Sequence, residues 1–228
     1  MKLAILFSGG KDSNFALNFA YEKGHEISCL ISMISKNSES YMFQSNGLNF
    51  TKIQAECLEI PIILKETSGE KEKELLDLKE AIYVAIKKHH IGGVVTGAIK
   101  SVYQASRVQK ICNELGIWCY NPLWQIEEDY YLSRLLKLEF GVRIISIAAY
   151  PLDKNFLGKK IDLEMSRKLS NLAFRYKISA VGEGGEFETF VCDGPLYKKR
   201  INVVESEIIM DGENCGHEKI IRVELESK

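Results

Sequence analysis

"KLAILFSGGKDS", residues 2–13, sets an apolar run, a Gly-Gly pair and a polar cluster end to end. Leu3, Ala4, Ile5, Leu6 and Phe7 show no alternation of apolar and polar residues, the pattern of a strand covered on both faces. From Asp12 to Lys23 the chain reads as a helix, and Gly24 is a natural stop. The glycines therefore stand where a buried strand hands over to a helix. First-turn amides have no acceptor inside the helix and the dipole there is positive, so the junction attracts an anion. Gly9 and Gly10 lack a Cβ and let the backbone fold tightly around that anion. Ser8 and Ser13 add hydroxyl donors, and Lys11 adds positive charge. Asp12, a carboxylate beside phosphates, suits a residue that holds Mg2+, the cation phosphates bring with them. The spacing is neither G-x-x-x-x-G-K-[ST] nor G-x-G-x-x-G.

The same rhythm continues outward. Strands are expected at 2–7, 26–34, 61–64, 92–96 and 117–120, and helices at 12–23, 49–58, 69–90 and 101–115. Strand–helix alternation of this kind builds an α/β domain with a parallel, Rossmann-like sheet and helices on both faces. After Asn121-Pro122 the pattern changes to helices at 129–140 and 162–176 and strands at 142–149, 189–192, 201–210 and 219–225. Asp211–Asn214 ("DGEN") reads as a hairpin-type loop between the last two. The expected division is residues 1–122 for the nucleotide-binding domain and 123–228 for a smaller α+β domain.

Composition narrows the function classes. A hydrophobic fraction of 46% and a charged fraction of 27% over 228 residues are those of an ordinary globular protein. At this length about 70% of the unfolded surface is expected to be buried. A net charge of −1 supplies no global field for nucleic acid, so no direct nucleic-acid contact is expected. No apolar run reaches a membrane span, and the amino-terminal run is too short for a signal peptide. Cys29, Cys57, Cys112, Cys119, Cys192 and Cys215 form no C-x-x-C pair and read as reduced, buried thiols of a cytoplasmic protein.

Two further clusters carry chemistry. "TGAI" at 96–99 ends a parallel strand, where open α/β sheets bind ligands; Gly97 there gives the backbone room to approach a nucleoside. Tyr103 and Arg107 lie four apart on the next helix, on one face, and Arg107 can meet a phosphate or carboxylate with two bonds, or be an ordinary surface arginine. Glu183, Glu186 and Glu188 place three carboxylates around the Gly184-Gly185 pair, either as an acidic surface turn or as a cation site. "NPLW" at 121–124 suits a ligand loop and an interdomain hinge equally.

The loop S-G-G-K-D-S matches the S-G-G-x-D-S pyrophosphate loop of the ATP pyrophosphatases. The rest of the chain resembles one branch, the diphthine–ammonia ligase family. The resemblance runs through "SGGKDS" at 8–13, "ESYMF" at 39–43, "GEKEKELLDLKEA" at 69–81 and "TGAIKSVYQASRV" at 96–108. It continues in "NPLW" at 121–124, "FLGKKID" at 156–162 and "GEGGEFETFVCDGPL" at 182–196. It implies a HUP-type nucleotide-binding domain and a carbon–nitrogen ligase that uses ATP and Mg2+. The implied acceptor is diphthine on elongation factor 2, and ammonium is the nitrogen donor. The intermediate would be an acyl-adenylate, with AMP and pyrophosphate as products. Ser8, Gly9, Gly10, Lys11, Asp12, Ser13, Gly97 and Arg107 would then hold ATP, with Asp12 on the metal. Diphthine carries a trimethylammonium group. The expected acceptor contacts are Tyr41, Tyr103, Glu183, Gly184, Gly185, Glu186, Glu188 and Thr189, with Phe187 as a further aromatic wall. Lys11, Asp12, Glu183 and Glu186 are the expected catalytic residues, one glutamate being an alternative acceptor of the ammonium proton.

Two positions depart from the family's pattern. Ser179 stands where a histidine often precedes the glutamate motif, and Gln44 where one often follows "ESYMF". A related pyrophosphatase acting on a tRNA base or small carboxylate, and a non-catalytic ATP or AMP sensor, are the rival readings. The oligomeric state is not set by the sequence, which leaves room for a homodimer.

Overall fold

A computed structural model describes residues 1–35, 50–67 and 71–228. The described chain divides into two compact units, the first running to Gln125 and the second covering Ile126–Lys228.

The first unit is a five-stranded parallel sheet with strands β1 (Lys2–Leu6), β2 (Glu26–Ser35), β3 (Ile62–Thr67), β4 (Gly93–Val95) and β5 (Trp118–Tyr120) in the order β3-β2-β1-β4-β5. The helices are α1 (Lys11–Glu22), α2 (Phe50–Leu58), α3 (Lys71–His89) and α4 (Val102–Leu115). This is the expected α/β, Rossmann-like architecture. Ala4 of β1, Cys29 and Ile31 of β2 and Val94 of β4 share one cluster with Ala81, Ile82 and Ala85 of α3 and Val108, Ile111 and Cys112 of α4. Strand alternation sends Leu3 and Ile5 to the other face, and both are buried there on the side of α1, which packs on β1, β2 and β4. Each such Leu or Ile contributes about 1.5–3 kcal/mol relative to exposure, which anchors β1 at the centre of the sheet. Helix α4 begins at Ser101, whose side chain accepts from the Gln104 amide, and stops at Gly116, which takes φ +68°.

The second unit holds an antiparallel sheet of β6 (Gly141–Ile147), β7 (Phe187–Asp193), β8 (Lys199–Gly212) and β9 (Cys215–Ser227), ordered β7-β6-β9-β8, with helices α5 (Glu128–Lys137) and α6 (Leu163–Tyr176). Pairing of Gly212 with Cys215 makes the β8–β9 connection a hairpin tip of Glu213 and Asn214, inside the expected loop. Asp162 caps α6 by accepting from the Met165 amide.

The thiols are all free, but Cys215 is exposed and Cys119 and Cys192 are half-buried, so only Cys29, Cys57 and Cys112 are fully inside. Burial pushes the Cys29 and Cys192 thiols up to about 12, which keeps both protonated. Among the described residues no helix is long and apolar enough to cross a membrane.

One ion pair ties the second sheet together. Arg143 of β6 donates to Glu218 of β9 through Nε at 2.7 Å and Nη2 at 2.5 Å, and Ser206 of β8 adds a hydroxyl donor at 2.6 Å. The Glu218 side chain is 1% exposed. Removing the carboxylate strands the guanidinium and the hydroxyl, so Glu218→Ala is expected to cost about 3 kcal/mol in urea unfolding, carried by the second unit.

Candidate active site

The loop after β1 takes the shape its residues predict. Gly9 has φ +83°, a left-handed conformation that side chains resist, and a Cβ there would lie 2.3 Å from Gln54 Oε1. The Gly9 carbonyl accepts from Gln54 Nε2 at 2.8 Å and from Asn14 Nδ2 at 3.2 Å. Gly10 caps α1, its amide donating to Ser8 Oγ at 3.4 Å and its carbonyl accepting from Ser13 Oγ at 3.1 Å. The two serine hydroxyls are 3.3 Å apart. These contacts hold the loop's carbonyls back into the protein. The amides of the first turn of α1 consequently stand at the mouth of the loop.

Lys11 is buried, and its Nζ donates to Asp12 Oδ2 at 3.1 Å. Pairing offsets the desolvation of a buried ammonium. It also sets one positive and one negative group side by side at the helix start, the donor set a metal-bound polyphosphate requires. A single carboxylate suits Mg2+, which takes its other ligands from phosphate and water. Among the described residues no group of three His, Cys, Asp or Glu could hold a metal without such a ligand.

Gly97 lies against this loop. A Cβ on it would sit 2.8 Å from the Asp12 carbonyl carbon and 2.9 Å from the Ser13 nitrogen. Loops after β1 and β4 therefore touch backbone to backbone. They do so where the strand order reverses, the crevice at which open α/β sheets take their ligands. Thr96 holds the second loop: its hydroxyl donates to Asn121 Oδ1 and accepts from the Ala98 amide at 3.2 Å. The Gln125 amide donates to the Ile99 carbonyl at 2.7 Å, so "NPLW" is pinned to "TGAI". Arg107 reaches back over Tyr103, with its guanidinium carbon 3.4 Å from the ring centroid. Its Nε is buried and has no acceptor among the described residues. An unmet buried donor costs about 1–3 kcal/mol, so this one suits an anionic ligand.

The glutamate motif belongs to the second unit and forms the turn into β7. Glu186 folds back on it: Oε1 accepts from the Ser179 amide at 2.7 Å and Oε2 from the Gly184 amide at 2.8 Å. Its carbonyl accepts from Ala148 at 2.8 Å. Gly185 takes φ +82° to make the turn. Glu183 and Glu188 are half-buried, while Thr189 and Phe187 are buried in β7, so Phe187 is a core residue and not an aromatic wall. Tyr41 and Gln44 lie outside the described residues.

Gln54 and Asn121 were not among the expected site residues. Gln54 is a fully buried amide on a helix face with Phe50, Ala55 and Leu58, and a polar residue at such a position is the signal that marks it. Asn121 opens "NPLW", read as a ligand loop or hinge, but nothing local marks it as the partner of Thr96.

Models of the diphthamide synthase N-terminal domain and C-terminal domain match residues 1–119 and 127–225. The chain belongs to the diphthamide synthase family. The chain is similar to the diphthine–ammonia ligase of Schizosaccharomyces pombe, 34% identical over 94% of this chain, though it spans only 38% of that protein. The ligases of Mus musculus and Homo sapiens are 32% and 31% identical over 100% of this chain and 94% of their own lengths. At Ser179, where the diphthamide synthase pattern often has histidine, the amide braces Glu186 and the hydroxyl accepts from Val181 at 3.2 Å.

The contact at Gly97 yields a direct test. Gly97→Ala forces the β4 loop off the first turn of α1. ATP affinity by calorimetry is expected to fall roughly tenfold, about 1.4 kcal/mol, in a chain that stays folded.

Proposed function

We propose that this chain is a cytoplasmic ATP-dependent ligase that converts diphthine on elongation factor 2 to diphthamide with ammonium. The observation that carries the reading is the loop at 8–13: its carbonyls are tied back, its lysine and aspartate are paired, and Gly97 presses on its helix. Family membership over both units supports this choice of acceptor.

In this reading the triphosphate of ATP lies on the first-turn amides of α1 and the hydroxyls of Ser8 and Ser13. Lys11 steadies negative charge as it builds on the phosphoryl oxygens. Asp12 holds Mg2+, whose chemical contribution is to neutralise phosphate charge. Arg107, stacked on Tyr103, gives its unmet Nε–H to the nucleotide or the acceptor carboxylate. The acceptor carboxylate attacks the α-phosphorus; a P–O bond to that carbon's oxygen forms and the bond to pyrophosphate breaks. Ammonia then adds to the acyl carbon, AMP leaves with the oxygen, and one proton is lost to give the neutral amide. Glu183, a half-buried carboxylate of the same turn, suits contact with the acceptor's cation or receipt of that proton. Glu186 works by holding the turn.

Incubation with ATP, ammonium and diphthine-bearing elongation factor 2 is expected to release AMP and pyrophosphate in step with amide formation. Release only with another acceptor, or none, would overturn the reading. Lys11→Met keeps the buried stem and removes the charge; kcat is expected to drop roughly 100- to 1,000-fold.

A further inference from the structure

The second unit exposes a pair of tyrosines that the site described above does not use. Tyr150 follows β6 and Tyr176 ends α6; their ring centroids are 5.3 Å apart with planes at 87°. Both stay in solvent, at 65% and 42% exposure, while Tyr131, Phe156, Phe187 and Phe190 make the unit's core. Edge-to-face packing leaves an open face on each ring, and the two faces meet in a right-angled corner. Each face is electron-rich and attracts a weakly hydrated cation.

Each tyrosine lies within three residues of an amide that donates to Glu186. Ala148, two residues before Tyr150, donates its amide to the Glu186 carbonyl, and Ser179, three residues after Tyr176, donates to the Glu186 carboxylate. At 3.8 Å per residue, Tyr150 is within about 8 Å of Ala148 and Tyr176 within about 11 Å of Ser179. The β8–β9 hairpin tip is tied to the segment just after Tyr150, because Asn214 Nδ2 donates to the Leu152 carbonyl at 2.6 Å. The neighbouring Glu213 brings a carboxylate there. The Tyr150 hydroxyl is held above its ordinary pKa, first by donating to Tyr176 and, as the smallest contribution, by the Glu213 charge. Phe174 is still more exposed, but Lys177 Nζ already sits 5.3 Å from its ring centroid, so its face is taken.

We propose that Tyr150 and Tyr176 form the seat for a quaternary ammonium group, with the Glu213 carboxylate nearby. A quaternary ammonium has no N–H, so hydrogen-bond acceptors cannot grip it; aromatic faces and carboxylate charge can. The inference rests on the ligase reading for its physiological ligand, the trimethylammonium end of diphthine. It assigns that end to residues of the second unit.

The test uses the full chain and tetramethylammonium chloride, followed by the aromatic NMR signals of Tyr150 and Tyr176. Sodium chloride and the neutral tert-butanol serve as controls. Saturable shifts are expected with tetramethylammonium alone, kept in Tyr150→Phe and lost in Tyr150→Leu and Tyr176→Leu, whose melting temperatures stay at the parent's value. In turnover the leucine variants are expected to raise the acceptor's KM about three- to thirtyfold and leave that of ATP unchanged. Absence of saturable binding, an equal response to tert-butanol, or an unmoved acceptor KM would overturn the seat. AMP release by the unaltered protein judges the ligase reading separately. If that fails while tetramethylammonium still binds the pair, the seat stands and its assigned acceptor does not. If AMP forms and the leucine variants behave like the parent, the seat alone falls.

Discussion

The approach of Gly97 to the peptide between Asp12 and Ser13 is the contact on which the nucleotide end of this molecule depends. Two parallel neighbours, β1 and β4, run out into loops at the same edge, and their separation is set by the sheet. Any side chain at position 97 would wedge them apart, since only 2.8 Å is available to a Cβ. The first loop is held from the other side by Gln54, and the second by Thr96 and Asn121. A site that binds phosphate through backbone dipoles needs this kind of bracing. Amide dipoles stabilise charge only if they do not have to turn toward it.

The second unit solves the opposite electrostatic problem. A glycine-rich turn carrying three glutamates would splay under its own charge if nothing fixed it. Glu186 does the fixing, accepting the Ser179 and Gly184 amides and offering its carbonyl to Ala148, just after β6. That arrangement separates the glutamates into one that builds the turn and others that sit around it. The buried Arg143–Glu218 pair lies in the same sheet, and with it β6 and β9 are locked across the middle of the unit.

How much of this could be read from the sequence follows contact distance along the chain. Residues 2–22 announced strand, loop and helix because every determinant lies within the segment. The parallel sheet followed from the alternation of its elements. Gln54 acts on a loop 45 residues away, and Asn121 on a threonine 25 residues away; no local pattern names either partner. Gly97 drew attention as a glycine at a strand end, yet the space it leaves is filled by the Asp12–Ser13 backbone. The three glutamates looked equivalent in one dimension, because nothing in E-G-G-E-F-E says which side chain will fold back. Phe187 looked available and is core, since strand β7 begins there and turns it inward. Tyr150 and Tyr176 are 26 residues apart on different elements, so their corner exists only after folding.

Charge also sets what the proposed reaction demands of its acceptor. In the proposed reaction a carboxylate must come within bonding distance of a polyphosphate. Two unit negative charges 4 Å apart repel by about 4 kcal/mol at an effective dielectric constant of 20, and ATP carries several such charges. Lys11, Arg107 and the helix dipole reduce that repulsion where the bond forms. None of them draws the carboxylate in preference to free phosphate or any other anion. Selection has to come from a part of the acceptor that other anions lack. A permanent cation is such a part, since carboxylates and aromatic faces that attract it repel free phosphate. The proposed reaction therefore asks for two separate features: an anion-binding loop to lower the barrier, and a cation-attracting group to choose which carboxylate meets it.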